Sequence, residues 1–105
     1  MSDDSIRVQL AASLAADARM YLLRELRRQT DERMSDIMLH RVLDVYGLRR
    51  DRDWVRTQLR KLEALGAIDI SPVGETLFAK LTQVGRDHVD QRAVLEGVSR
   101  PSDID

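Results

Sequence analysis

A mainly α fold carrying one small β-hairpin is what this 105-residue sequence predicts, and three observations predict it. Residues 6–29 hold neither Gly nor Pro and repeat apolar side chains at steps of three and four, the period of an amphipathic helix. Two shorter stretches, each opened by a capping Ser or Asp and closed by Gly, repeat that period. Between residues 67 and 81 the period changes to two, interrupted by Pro72-Val73-Gly74, as expected of two strands and a turn.

Taken in order, Ile6 to Gln29 forms the first helix, with Ile6, Leu10, Leu14, Ala18, Tyr21, Leu22 and Leu26 as its apolar face. Asp3, Asp4 and Ser5 supply a cap and negative charge at its start. A break near Ala15–Asp17 is an alternative, since Asp17 can cap a second helix. Thr30–Arg33 reads as a polar connection. Ser35 caps the next helix, which runs to about Tyr46 with Ile37, Met38, Val42, Leu43 and Tyr46 spaced to face inward and Gly47 ending it. Asp51 or Asp53 opens the third helix, residues 51–65, whose inward stripe is Val55, Leu59 and Leu62; Gly66 ends it. Ala67–Ser71 and Glu75–Leu81 pair as a hairpin, Thr82 caps a last helix to about Arg92, and 97–105 form a polar tail expected to be exposed or partner-bound. The order helix, helix, helix, strand, turn, strand, helix is that of a winged helix-turn-helix: a three-helix core, a two-stranded wing and an additional C-terminal helix in one domain over residues 1–96.

Three stretches carry a resemblance: the capped helix Ser35–Tyr46 with its connection to Asp51, the run Asp53–Ile68, and Leu81–Asp87. The run from Val55 to Gly66 reads V-R-x-x-L-x-x-L-E-x-x-G, and Leu81-Thr82-Gln83-Val84-Gly85 reads L-T-x-x-G after the hairpin. Together they resemble bacterial winged-helix regulators. Residues 15–102 are also similar to a family of small winged-helix proteins encoded in Mu-like phages and prophages, whose Val-x-x-Pro-Ser ending resembles Val98-Ser99-Arg100-Pro101-Ser102. The resemblance implies the fold, and a phage or prophage transcriptional regulator as its function.

Charge patterning narrows the function. Net charge is −1, yet residues 49–63 carry +3 through Arg49, Arg50, Arg52, Arg56, Arg60 and Lys61, whereas 64–105 carry −3. Of the 17 basic residues, 15 are Arg, which codon usage in a GC-rich genome explains as readily as recognition chemistry. In a winged helix the third helix enters the DNA major groove. With Val55, Leu59 and Leu62 inward, Arg52, Arg56, Thr57, Arg60 and Lys61 are expected on its solvent faces, Thr57 and Gln58 are expected to add base or phosphate hydrogen bonds, and Arg49 and Arg50 before it are placed for phosphate contact. Replacing Arg56 and Arg60 together by Ala is accordingly expected to remove sequence preference and leave the fold intact. The plain alternative is a solvated face whose arginines pair with Asp51, Asp53 and Glu63. The turn region Ser71–Glu75 holds no cation and one acid, which favours a competing function as a protein-interaction module without useful DNA affinity.

The remaining signals mostly exclude. With no Cys, disulfides, thiolate catalysis and Cys-based zinc sites are absent. His40 and His88 lie far apart with no third ligand at metal spacing, so no metal is expected. No nucleophile elbow or phosphate-cradling Gly-rich loop is present, so neither an enzyme, a cofactor nor a small-molecule ligand is expected. Trp54, Tyr46 and Phe78 read as core or core-edge packing. No apolar run approaches membrane length and no signal segment opens the chain, so a cytoplasmic protein is expected. A first helix of this length outruns a small core, which leaves Ile6, Leu10, Ala11 and Leu14 exposed and points to a homodimer through the N-terminal helix.

Overall fold

The computed structural model describes residues 3–105 as five helices and one three-stranded antiparallel sheet. Helix α1 runs unbroken from Asp3 to Arg28, with acids in its first turn and Arg27 and Arg28 in its last, both complementing the helix dipole. Asp17 does not restart it; its carboxylate instead accepts the Ser99 hydroxyl hydrogen bond at 2.6 Å. The two halves of α1 differ in burial. Ala18, Met20, Leu22, Leu23 and Leu26 have no exposure and make α1 the central helix of the core, while Ile6, Val8 and Leu10 stand in solvent.

Arg33, expected as the end of a connection, instead opens strand β1 (Arg33–Ser35), which pairs with β3, Met34 opposite Ala79. Helix α2 spans Asp36–Val45, capped by the Ser35 hydroxyl, which accepts the Met38 N–H at 3.2 Å. Its inward side is Asp36, Leu39 and Leu43, so the expected stripe is rotated: Leu43 is buried, but Ile37 and Met38 face out and Val42 and Tyr46 are only half-buried. The physical cause is Asp36, drawn inward by two guanidinium groups of the next helix. Gly47 ends α2 at φ +82, a conformation that strains any residue with a Cβ, and Leu48 N–H returns to the Leu43 carbonyl.

Helix α3 (Arg52–Ala64) is capped by Asp51, whose side chain accepts the Trp54 N–H at 2.8 Å. Val55, Leu59 and Leu62 are fully buried, as their spacing requires. Strands β2 (Ile68–Val73) and β3 (Thr76–Leu81) form the hairpin, joined by the two-residue turn Gly74–Glu75 with Gly74 at φ +60. Pro72 and Val73, expected in the turn, extend β2. Because the strand order is β1-β3-β2, β2 is an edge strand and tolerates the N–H that Pro lacks. Leu77, Ala79 and Leu81 point into the core; Phe78, expected there, lies on the opposite, half-buried side under the Arg33 guanidinium.

Helix α4 (Gln83–Val89), capped by Thr82, approaches the start of the hairpin so closely that a Cβ on Gly85 would collide with the Ala67 carbonyl. The inward residues of α4 are Gly85 and His88 with Val89 beside them, while Val84, expected as a contact, is largely exposed. The tail is not an exposed end. Val98 is 6% exposed, the Ser99 N–H donates to the Ala16 carbonyl, and α5 (Pro101–Ile104) lays Ile104 against the core. His88 fixes the turn-back: its Nδ1 accepts the Leu95 N–H at 2.9 Å, which leaves Nε2 as the donor to the Ser99 carbonyl at 2.9 Å. No helix among the described residues is long and apolar enough to cross a membrane.

Candidate functional site

The cationic segment 49–63 divides into two groups with different surroundings. Arg52 and Arg56, one turn apart on α3, both point at Asp36. Their Nε groups donate to the same Asp36 oxygen at 2.9 and 2.7 Å. The Leu77 N–H donates to the other oxygen at 3.2 Å. Each guanidinium also donates through Nη2 to the Glu75 carbonyl in the hairpin turn. One buried carboxylate thus ties together the first turn of α2, the first two turns of α3, and the hairpin.

Asp36 has no exposure, and burial alone pushes its carboxyl up. The hydrogen bonds from Arg52, Arg56 and the Leu77 N–H outweigh that, and the carboxyl is held below the usual carboxylate range. The same bond lifts the Arg52 guanidinium above its ordinary value. The expectation that Arg52 and Arg56 are solvent-facing is therefore corrected. Their side chains keep 41% and 31% exposure, but their donors hold the fold. It follows that an Arg56-to-Ala change is not structurally silent. The partners foreseen for these arginines, Asp51 and Asp53, are not the ones they take.

The second group faces water. Arg49 is exposed in the connection before α3, and Arg50 beside it holds its guanidinium 5.5 Å from the Trp54 ring centroid, a cation–π contact that rests on a half-buried indole. The Arg50 carbonyl is hydrogen-bonded to His40 Nε2 at 2.6 Å, which fixes the path of the connection. Thr57 is exposed, with its hydroxyl donating back to the Asp53 carbonyl at 3.0 Å and so leaving its lone pairs outward, whereas Gln58, expected beside it as a contact, is buried and accepts from Arg19 Nε at 2.9 Å. Arg60 forms an ion pair with Glu63 one turn on, at 3.2 Å, with the Arg60 side chain largely in solvent and that of Glu63 partly so. Such a pair contributes little to stability and yields readily to a competing anion. Lys61 is exposed and has no ion pair among the described residues.

Sequence reasoning missed Asp36, which at the first position of a capped helix reads only as a charge complementing the dipole. It also missed Arg33 and Lys80, directly paired across β1 and β3 on the outer side of the sheet, with Asp69 across from Lys80. Three consecutive apolar-polar alternations would have exposed a longer strand; three residues could not. No group of three or more His, Asp or Glu among the described residues is arranged to hold a metal. No family model, curated protein or solved structure matches the chain.

Proposed function

We propose that this chain is a winged-helix protein that binds double-stranded DNA, with α3 reading the major groove, and that it acts as a regulator of the phage or prophage kind its sequence resembles. The element order supports the fold: β1 sits between α1 and α2 and completes the sheet of the hairpin that follows α3, so the wing is three-stranded at its base. The observation that carries the function is the division of α3. Its apolar stripe is sealed in the core, while Thr57, Arg60 and Lys61 leave by the opposite side and Arg49 and Arg50 flank its start. A major groove admits one helix, a guanidinium can take guanine O6 and N7 together, and the flanking cations suit phosphate. In this reading Arg52 and Arg56 position rather than read. They lock α3 to the hairpin turn, where the charges of Asp36, Glu75 and Asp53 act on Arg52. The exposed N-terminal half of α1 supplies a two-fold contact, which places two copies of α3 on half-sites ~34 Å apart.

A second reading, a protein-interaction module, is favoured by one specific observation: Ile6, Val8 and Leu10 on α1 and Val45 on α2 are more than half exposed. Fluorescence anisotropy with a labelled duplex of about 30 base pairs, titrated at ~50 and ~200 mM salt, separates the two. Four phosphate-facing cations per chain predict a log–log salt slope of roughly −3 to −4 for each chain bound, about −7 for the two-fold dimer, and a loss of about 10²-fold per chain between those conditions. An absence of binding at the lower salt overturns the DNA reading in favour of the interaction module.

A further inference from the structure

Helix α2 is apolar on two sides. Leu39 and Leu43 face the core, while Ile37, Met38 and Val45 on the other side are 41, 45 and 85% exposed. Positions 37, 38, 41, 42 and 45 share one helical face, interrupted only by Arg41. Where that face meets the C-terminal end of α1, Glu25, Arg28, Val42, Val45 and Tyr46 line an open groove of about 380 Å³. Its floor is fixed. The Tyr46 ring stacks on Tyr21 with centroids 4.0 Å apart, and the Tyr46 hydroxyl accepts from Arg28 at 3.3 Å. The far end of α1 carries the other unpartnered apolar surface, Ile6 and Leu10 one turn apart, beside exposed Asp3 and Asp4.

We infer that these two surfaces are the two halves of one homodimer contact: the N-terminal end of α1 in one copy lies in the α2 groove of the other, and the reverse. The inference rests on the two-fold contact proposed above but not on DNA binding. Reach excludes a contact within one chain. From Leu10 to Glu25 along an unbroken helix is about 15 residues, or roughly 22 Å at ~1.5 Å per residue, so the end of α1 cannot fold onto its own groove. Charge favours this partner at one point of the rim: Arg28 is already paired with Glu25 at 2.7 Å, so the acidic end (Asp3, Asp4) meets exposed Arg41 on the same face of α2. Area favours reciprocity. Two-fold exchange buries each patch twice over, toward the roughly 1,200 Å² that a stable interface needs.

The absence of Cys makes disulfide trapping specific. A Leu10→Cys chain and a Val45→Cys chain, both exposed substitutions, are oxidised separately and as a mixture, with sedimentation velocity on the unmodified chain alongside. The expected result is a covalent species of twice 12.0 kDa in the mixture and single chains in either variant alone. If Leu10→Cys cross-links alone, α1 ends meet each other, and if Val45→Cys does so, grooves meet; either result overturns the exchange while keeping a dimer. A sedimenting dimer whose mixed variants stay uncross-linked overturns the groove assignment. A single-chain mass at every concentration overturns both the exchange and the two-fold contact itself.

Discussion

The two ends of α3 carry the same kind of residue to opposite purposes. In its first two turns Arg52 and Arg56 converge on one buried carboxylate; in its last two Arg60 and Lys61 reach water, and Arg60 has only an exposed i,i+3 partner. Nothing in the local sequence separates them, since all four stand off the Val55–Leu59–Leu62 stripe. The difference is made by a residue of another helix. An arginine on a helix proposed to face DNA is a ligand contact only if no buried acid nearby has first claim on it.

The sharpest way to break this comparison is to remove the two tied arginines. In Arg52→Ala/Arg56→Ala the fully buried Asp36 keeps only the Leu77 N–H, and a buried charge without a counter-charge costs about 3–5 kcal/mol. Urea unfolding should show a lower midpoint at unchanged slope. A loss under ~1 kcal/mol, the range of an exposed ion pair, would make the cluster incidental. Asp36→Ala should cost less, about 1–3 kcal/mol, because the half-exposed guanidiniums can return to water while the Leu77 N–H loses its partner.

The charge itself can be tested through pH. The folded carboxyl of Asp36 lies below its unfolded value, so its contribution is fully present above the ordinary carboxylate range near pH ~4 and is lost as pH falls through the folded value. Wild type should therefore exceed Asp36→Asn in stability by a constant margin at neutral pH, and that margin should shrink below about pH 4. Glu32, lowered by its bond from Arg86, titrates in the same direction in both proteins and cancels in the comparison. A margin that does not change with pH would mean that Asp36 acts by shape and not by charge.

How much of this was legible depends on where each determinant lies. Caps and terminators are local, so Ser35, Asp51, Thr82, Gly47 and Gly66 mark their helices from sequence, and the alternation in 67–81 marks the hairpin. The rotation of α2 was not legible, because its two sides are both apolar and the choice between them is made by arginines 16 and 20 residues further on. Strand β1 has too few residues to show a period and exists only because β3 accepts it. The tail hides its docking behind polar composition; α1 holds it through Ala16 and Asp17, which accept from the Ser99 N–H and hydroxyl, and through Arg19 and Arg24, which donate to the Gly97 carbonyl and the Asp105 carboxylate, contacts that no hydropathy pattern records. For the candidate site, Arg60 and Lys61 are exposed as periodicity expects and Arg49 and Arg50 are exposed in the connection before α3, whereas the engagement of Arg52 and Arg56 required a partner on another helix.

The smallest expected change in stability belongs to the other end of α3, and it is the one that sharpens the comparison most. Arg60→Ala/Lys61→Ala removes one exposed ion pair and one free ammonium, so the unfolding midpoint should move by no more than about 0.5 kcal/mol in equivalent stability. In the anisotropy titration, however, each cation withdrawn from a phosphate lowers the salt slope by roughly 0.9, so the pair should flatten it by about 1.8 per chain. If Arg60 instead meets guanine, the slope falls by only about 0.9 and the loss is confined to the preferred sequence. A double variant that keeps both its stability and the full slope would place the nucleic acid away from the C-terminal turns of α3. The contacts would then have to come from Arg49 and Arg50 or from Arg33 and Lys80 on the outer side of the sheet.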